Sequence, residues 1–343
     1  MNRAFAIHAL TAACAATARA QQQPAAGYHV ARRFAAGGDG GWDYPLADTG
    51  RNRLFLSRGT HVMVLNSDSG TVVGDIPNTP GVHGIAVAPE LGKGFISNGR
   101  DSSMTVFDYA TLATTANVKV GGANPDAILY DPFSRRVFTM NGRSGNASAI
   151  DATNNTVVGL VALNGRPEFA QTDGRGTIFV NLEDSNLVVA FDARTLAIKG
   201  RWSLAPCDGP SGLAIDAQHH RLFSVCSNKL MVVMNADNGH IVTTLPIGNG
   251  TDGVAFDPST GLAFAACGEG VMTIVHEDSP DRFSVVATAP TQRGARTVTV
   301  DQRTHRVFTP TADFGPPPDS VPGQRRGRPP MLPNSFTVVV LEP

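Results

Sequence analysis

Arg53-Leu54-Phe55-Leu56-Ser57 decides the fold, because six relatives of this pentapeptide occur further along the chain. They are KGFIS (93–97), RVFTM (136–140), TIFVN (177–181), RLFSV (221–225), LAFAA (262–266) and RVFTP (306–310). The shared phenylalanines Phe55, Phe95, Phe138, Phe179, Phe223, Phe264 and Phe308 stand 40, 43, 41, 44, 41 and 44 residues apart. Such a period marks a repeat architecture. An aspartate opens the turn before six of the seven runs: Asp48, Asp131, Asp173, Asp216, Asp257 and Asp301. Ala88-Pro89 replaces it in the second. Aspartate suits the place because its carboxylate accepts from backbone amides two residues on.

Outward from each phenylalanine the pattern continues. A third strand ends in Asn66, Asp108, Asp151, Asp192, Asn235 or His276 in the first six repeats. A fourth comes next, in segments such as TVVGDIP (71–77) and AIKGRWSL (197–204). Each repeat therefore encodes four short antiparallel strands separated by Gly, Asn and Asp turns. One such sheet cannot bury both faces, but seven packed radially can. The expected fold is an all-β, seven-bladed β-propeller of four-stranded antiparallel blades. Its last repeat is one strand short, and Tyr28-His29-Val30-Ala31-Arg32-Arg33-Phe34, which precedes the first repeat, is positioned to complete it. That closure removes the open sheet edges. The recurring phenylalanines are assigned to packing.

The N-terminus reads as a secretory signal. Arg3 supplies positive charge, Ala4 to Ala16 is small and apolar apart from His8, and Ala18-Arg19-Ala20 fits a cleavage site. Residues 1–20 are thus expected to be removed, leaving 21–343 as one propeller domain in the periplasm or outside the cell. The apolar run is too short for a transmembrane segment. With 28 Lys+Arg against 29 Asp+Glu there is no global basic field to recruit nucleic acid or acidic lipid. A monomer is expected. No C-x-x-C-H occurs, which excludes covalent c-type haem, and no Ser-His-Asp order, P-loop or dinucleotide fingerprint is present.

Phe95-Ile96-Ser97-Asn98, Phe138-Thr139-Met140-Asn141 and Val62-Met63-Val64-Leu65-Asn66 with Ser69-Gly70 resemble the YVTN repeat of bacterial exported propellers. The resemblance runs along the whole mature chain, although Cys226 and Cys267 replace the strand-ending asparagine in later repeats. It implies an exported propeller and no single activity, since relatives include binding proteins, lactonase-like enzymes and subunits of quinone- or copper-dependent oxidoreductases.

Propeller geometry puts the first strand of each blade on the central channel. Counting back from each phenylalanine, the residues opening these strands are Asp43, His83, Asp126, Glu168, Ser211, Asp252 and Arg296. Counting forward three adds Asn98 and Asn141 to the expected ligand-binding face, with Asn181 beside Leu182 in the next repeat. Asp43, His83, Asp126, Glu168 and Asp252 form the expected metal set. Oxygen donors with one imidazole suit Ca²⁺ or a transition metal, and a carboxylate beside metal-bound water can act as a base. Two functions fit this ring. One is a binding or interaction scaffold for a small ligand or protein partner, and the other is a divalent-metal-dependent hydrolase of lactonase type. A third, an accessory propeller of a periplasmic oxidoreductase, fits the resemblance.

Three cysteines lie beyond the signal: Cys207, Cys226 and Cys267. In an oxidising compartment one disulfide is expected, Cys207–Cys226 in preference to Cys226–Cys267. His219-His220 lies in a turn on the opposite face and reads as solvated. The insertion 313–334 carries seven prolines with Arg325, Arg326 and Arg328, and is expected to hang over the channel mouth as a variable loop, lid or docking arm.

Overall fold

A computed structural model describes residues 27–318 and 329–343. The expected signal peptide and Arg325, Arg326 and Arg328 lie outside the described residues. Seven four-stranded sheets surround a central channel, each ordered from the channel outward as the chain runs. The last sheet breaks the rule, since its outermost strand, His29–Ala35, comes from before the first blade and pairs antiparallel with Thr337–Glu342. Tyr28 secures this closure: its hydroxyl donates to the His305 carbonyl at 2.9 Å and its ring meets Phe264 edge-on at 4.8 Å.

The core lies between blades. Second and third strands such as Arg136–Asn141 and Asn146–Asp151 are buried on both faces along nearly their whole length. Fourth strands such as Thr114–Lys119 are mostly exposed. The seven repeat phenylalanines are all at most 2% exposed, as packing residues should be. Several reach a neighbouring blade: Phe55 meets Phe107 at 5.8 Å and Phe138 meets Phe191 at 5.5 Å.

Two polar devices recur at the turn-side ends. The turn aspartates bond amides two or three residues on, as in Gly50 to Asp48 (3.1 Å) and Gln218 to Asp216 (2.9 Å). The same carboxylates join the next blade, as when Tyr109 Oη donates to both oxygens of Asp48 and Thr172 Oγ1 to Asp131. Basic residues two before the phenylalanine donate to carbonyls of the following blade: Arg53 to Tyr109 (2.7 Å), Lys93 to Ala152 (2.9 Å) and Arg136 to Ala193 (2.8 Å). Cys207 and Cys226 form a disulfide with Cα atoms 5.5 Å apart, and Cys267 is a buried free thiol. No helix among the described residues is long and apolar enough to cross a membrane.

Candidate functional site at the channel mouth

The inner strands do not pair regularly from end to end. In blades 2 to 5 the register shifts over their first residues, between Val82 and Ile85, Pro125 and Ile128, Pro167 and Ala170, and Pro210 and Leu213. Blade 6 shifts between Thr251 and Gly253. A bulge re-aims a side chain, and His83, Asp126, Glu168, Ser211 and Asp252 all sit inside these irregular steps. Polar side chains of second strands hold the bulged backbone. Ser97 Oγ accepts from the Gly84 amide at 2.9 Å, and Asn181 Nδ2 donates to the Ser211 and Gly212 carbonyls at 3.0 and 3.1 Å. Asp43 is fixed likewise, its amide donating to Ser57 Oγ at 2.8 Å.

Small residues come directly after most of these positions: Gly84, Ala127, Gly212, Gly253 and Thr297. They let adjacent inner strands approach closely. A Cβ on Gly212 would stand 2.8 Å from the Gly253 Cα, and one on Gly253 would stand 3.0 Å from the Thr297 Cα. Blades 1 and 4 instead carry Tyr44 and Phe169 there. These two rings come from opposite sides of the channel and meet edge-on at 4.7 Å. They floor the acidic ring and separate it from a 500 Å³ lower chamber lined by residues such as Leu46, Val87, Tyr130 and Gln171.

Above this floor the ring converges. His83 Nδ1 is 2.7 Å from Asp43 Oδ2 and 3.5 Å from Asp126 Oδ1. Gly99 makes room for the imidazole, since a Cβ there would stand 2.7 Å from His83 Nε2. Tyr44 Oη donates to Glu168 Oε1 at 3.4 Å, and Arg166 stands 4.0 Å from Glu168 Oε2. Arg296 Nε pairs with Asp252 Oδ2 at 2.7 Å. Ser211 is turned away, its hydroxyl donating to the Thr251 carbonyl at 3.3 Å.

The metal set drawn from the sequence separates into groups. Asp43, His83 and Asp126 bring donor atoms within 4.8 Å of one another, whereas Asp252 is engaged by Arg296 and Glu168 by Tyr44. Asn98 and Asn141 do not reach the mouth at all. Both are fully buried, and their amides donate within their own blades, to Ser103 and Thr105 and to Asn146 and Ser148. Both faces of a second strand pack against neighbouring blades, so neither face reaches the channel.

The electrostatics arise from this crowding. Burial, reinforced by Asp43 and Asp252 and only partly offset by His83, pushes the Asp126 carboxyl up to about 7. Burial and then Asp126 push Glu168 up to about 8. Burial alone would lower His83, but the Asp43 hydrogen bond and the Asp126 charge outweigh it and raise the imidazolium to about 9. Asp126 Oδ1 and Glu168 Oε2 are buried and accept no hydrogen bond among the described residues.

Beside the ring, a 910 Å³ cleft runs between Trp42, Glu269, Arg293 and the two described stems of the insertion, Phe314 and Met331. The stems bridge one another, with Phe314 pairing Met331. Asp252 and Arg296 belong to ring and cleft alike, and the Arg296 guanidinium lies 5.8 Å from the Trp42 ring centroid. Reasoning from the sequence misses Tyr44, Phe169, Arg166 and Trp42. The first two carry a signal that could have found them, as aromatics standing in a column of small residues.

No family model matches the chain, and no curated protein does. Among solved structures it is similar to hydrazine synthase of Kuenenia stuttgartiensis, at 16% identity and TM-score 0.68, over 78% of this chain and 92% of that one. It is also similar to the WD40 repeats of RRP9, at 9% identity and TM-score 0.74, over 91% of this chain and 97% of that one. At these identities the likeness establishes the β-propeller fold, a common protein-interaction scaffold.

Proposed function

We propose that this chain is an exported binding propeller of YVTN type that recognises a cationic group at its channel mouth. The observation carrying the proposal is that Asp126 Oδ1 and Glu168 Oε2 are buried without a hydrogen-bond donor, their cationic neighbours His83 and Arg166 standing off at 3.5 and 4.0 Å. Buried carboxylates left so are destabilising until a cation or proton meets them. The adjoining cleft, with Trp42 and Phe314 on its walls, suits the body of a ligand whose charged end enters the ring. The Cys207–Cys226 disulfide supports an oxidising, periplasmic or secreted location.

Calorimetric titration of wild type and of an Asp126→Asn, Glu168→Gln variant tests this, with Ca²⁺, Mn²⁺, spermidine and arginine methyl ester as probes. At least one cation should bind wild type and raise its melting temperature, and the folded double variant should bind one equivalent fewer of that cation and lose the matching part of the thermal gain. If no cation binds and the double variant simply melts higher, the ring is a strained rim and the proposal fails.

A second reading, a metal-dependent hydrolase of lactonase type, is favoured by one observation, the Asp43–His83–Asp126 grouping of donors. It requires lactone hydrolysis that depends on added metal and disappears on Asp126→Asn.

A further inference from the structure

On the face opposite the ring, Asp216 ends the inner strand of blade 5 (Pro210–Asp216) and His219 lies in the turn after it. Glu277 comes from blade 6, near the end of the third strand Val271–Ser279. Blade 6 departs here from its siblings. Its third and fourth strands run on through a hairpin, HEDSPDRF (276–283), in place of the short Asx turn seen at Asn66 or Asp192. The longer hairpin presents Glu277 to blade 5, and Arg221 of blade 5 grips its tip through Pro280 and Asp281.

His219 Nδ1 lies 2.7 Å from Asp216 Oδ2 and 2.9 Å from Glu277 Oε1. Other histidines of this chain at such distances make true hydrogen bonds, as His83 does with Asp43, His276 with Asp278 and His305 with Asp257. His219 does not. Its Nδ1 and both Glu277 oxygens are buried and make no hydrogen bond of regular geometry among the described residues, so the imidazole is not aligned on Asp216 or Glu277 as the other rings are on their carboxylates. The three donor atoms instead lie within 4.8 Å of one another. Ligands about 2.1 Å from one ion and at right angles stand roughly 3 Å apart, close to the separations here. The side chains of Asp216 and Glu277 are 3% and 4% exposed, so two carboxylates face one imidazole out of water. Asp216 Oδ1 is already held by the Gln218 amide, which fixes the carboxylate's orientation.

We propose that Asp216, His219 and Glu277 form a divalent transition-metal site that clips blade 5 to blade 6. One nitrogen and two carboxylate oxygens suit Mn²⁺ or Zn²⁺, with water completing the shell. Its role is structural, and it is independent of whatever the channel mouth binds.

The test uses the full chain with Asp126→Asn and Glu168→Gln, which removes two of the four ring carboxylates and breaks the Asp43–His83–Asp126 grouping. Mn²⁺ followed by electron paramagnetic resonance should bind with one ion per chain. Saturating Mn²⁺ or Zn²⁺ should raise the melting temperature by about 5 °C or more, the shift expected near a hundredfold excess over Kd. The isosteric Glu277→Gln should abolish both effects, and His219→Asn provides the independent check. Two results overturn the proposal. One is Mn²⁺ binding that survives both substitutions. The other is no binding of either metal, and a metal-free Glu277→Gln protein that then melts higher than its parent at about pH 8 would identify the cluster as a proton-sharing carboxyl pair.

Discussion

At the scale of single residues, the channel is governed by the size of the side chain directly after each mouth position. A Cβ at Gly212 would press on backbone atoms of Gly253, Val254 and Asp252, all within 3.0 Å, and backbone cannot swing aside as a flexible side chain can. Gly212→Ala should therefore destabilise the domain by about 1–3 kcal/mol, the usual penalty for overpacking. Gly41→Ala, where a Cβ would meet nothing within 4 Å, should leave the denaturation midpoint almost unmoved. Equal midpoints in urea would show that the inner strands separate freely. The same column separates the legible mouth residues from the hidden ones. Asp43, His83, Asp126, Glu168 and Asp252 are legible in the sequence because each opens an equivalent strand, and repetition fixes their register. Counting along the second strand places Asn98 and Asn141 at the mouth, but both faces of that strand are consumed by packing. The aromatic floor was hidden because Tyr44 and Phe169 meet across the ring, and sequence spacing carries no information about that distance.

At the scale of elements, the blades were legible in almost every particular, since the phenylalanine strand repeats seven times and the Asp turn before it six. The ties between blades were less so. Arg53, Lys93 and Arg136 occupy one repeat position, yet their partners are carbonyls, which have no side-chain signature. Closure is the element on which the rest depends. Removing residues 28–35 would expose the whole edge of Thr337–Glu342 and strip Phe264 and Phe308 of Tyr28 and Phe34. We expect such a truncation to lower the melting temperature of the entire domain in a single transition. A calorimetric trace with an unchanged main peak would show that the last blade stands without its fourth strand.

At the scale of the whole molecule, four raised carboxyls, Asp126, Glu168, Asp252 and Glu277, and one raised imidazole make stability pH-dependent. Asp126, Glu168 and Glu277 hold their protons more tightly folded than unfolded, so their contribution is complete below about pH 4.5 and is lost as pH rises through about 7 to 8. His83 contributes fully below about pH 6.5 and is lost as pH rises through about 9. The signs agree, so the metal-free protein should melt progressively lower between mildly acidic pH and about pH 9. Asp126→Asn with Glu168→Gln should flatten that slope, and a slope unchanged by both substitutions would remove the ring as its source. The seam where His29–Ala35 meets Thr337–Glu342 also sets an order of events in time. A chain made or threaded from its N-terminus presents this strand first and its partner some three hundred residues later. Through that interval the opening strand has no strand to pair with, and the six intervening sheets can form only an unclosed arc. Ring closure is thus the last and least local step of folding, and its rate, more than the strength of any one blade, governs how long the newly made chain offers a bare edge to its surroundings.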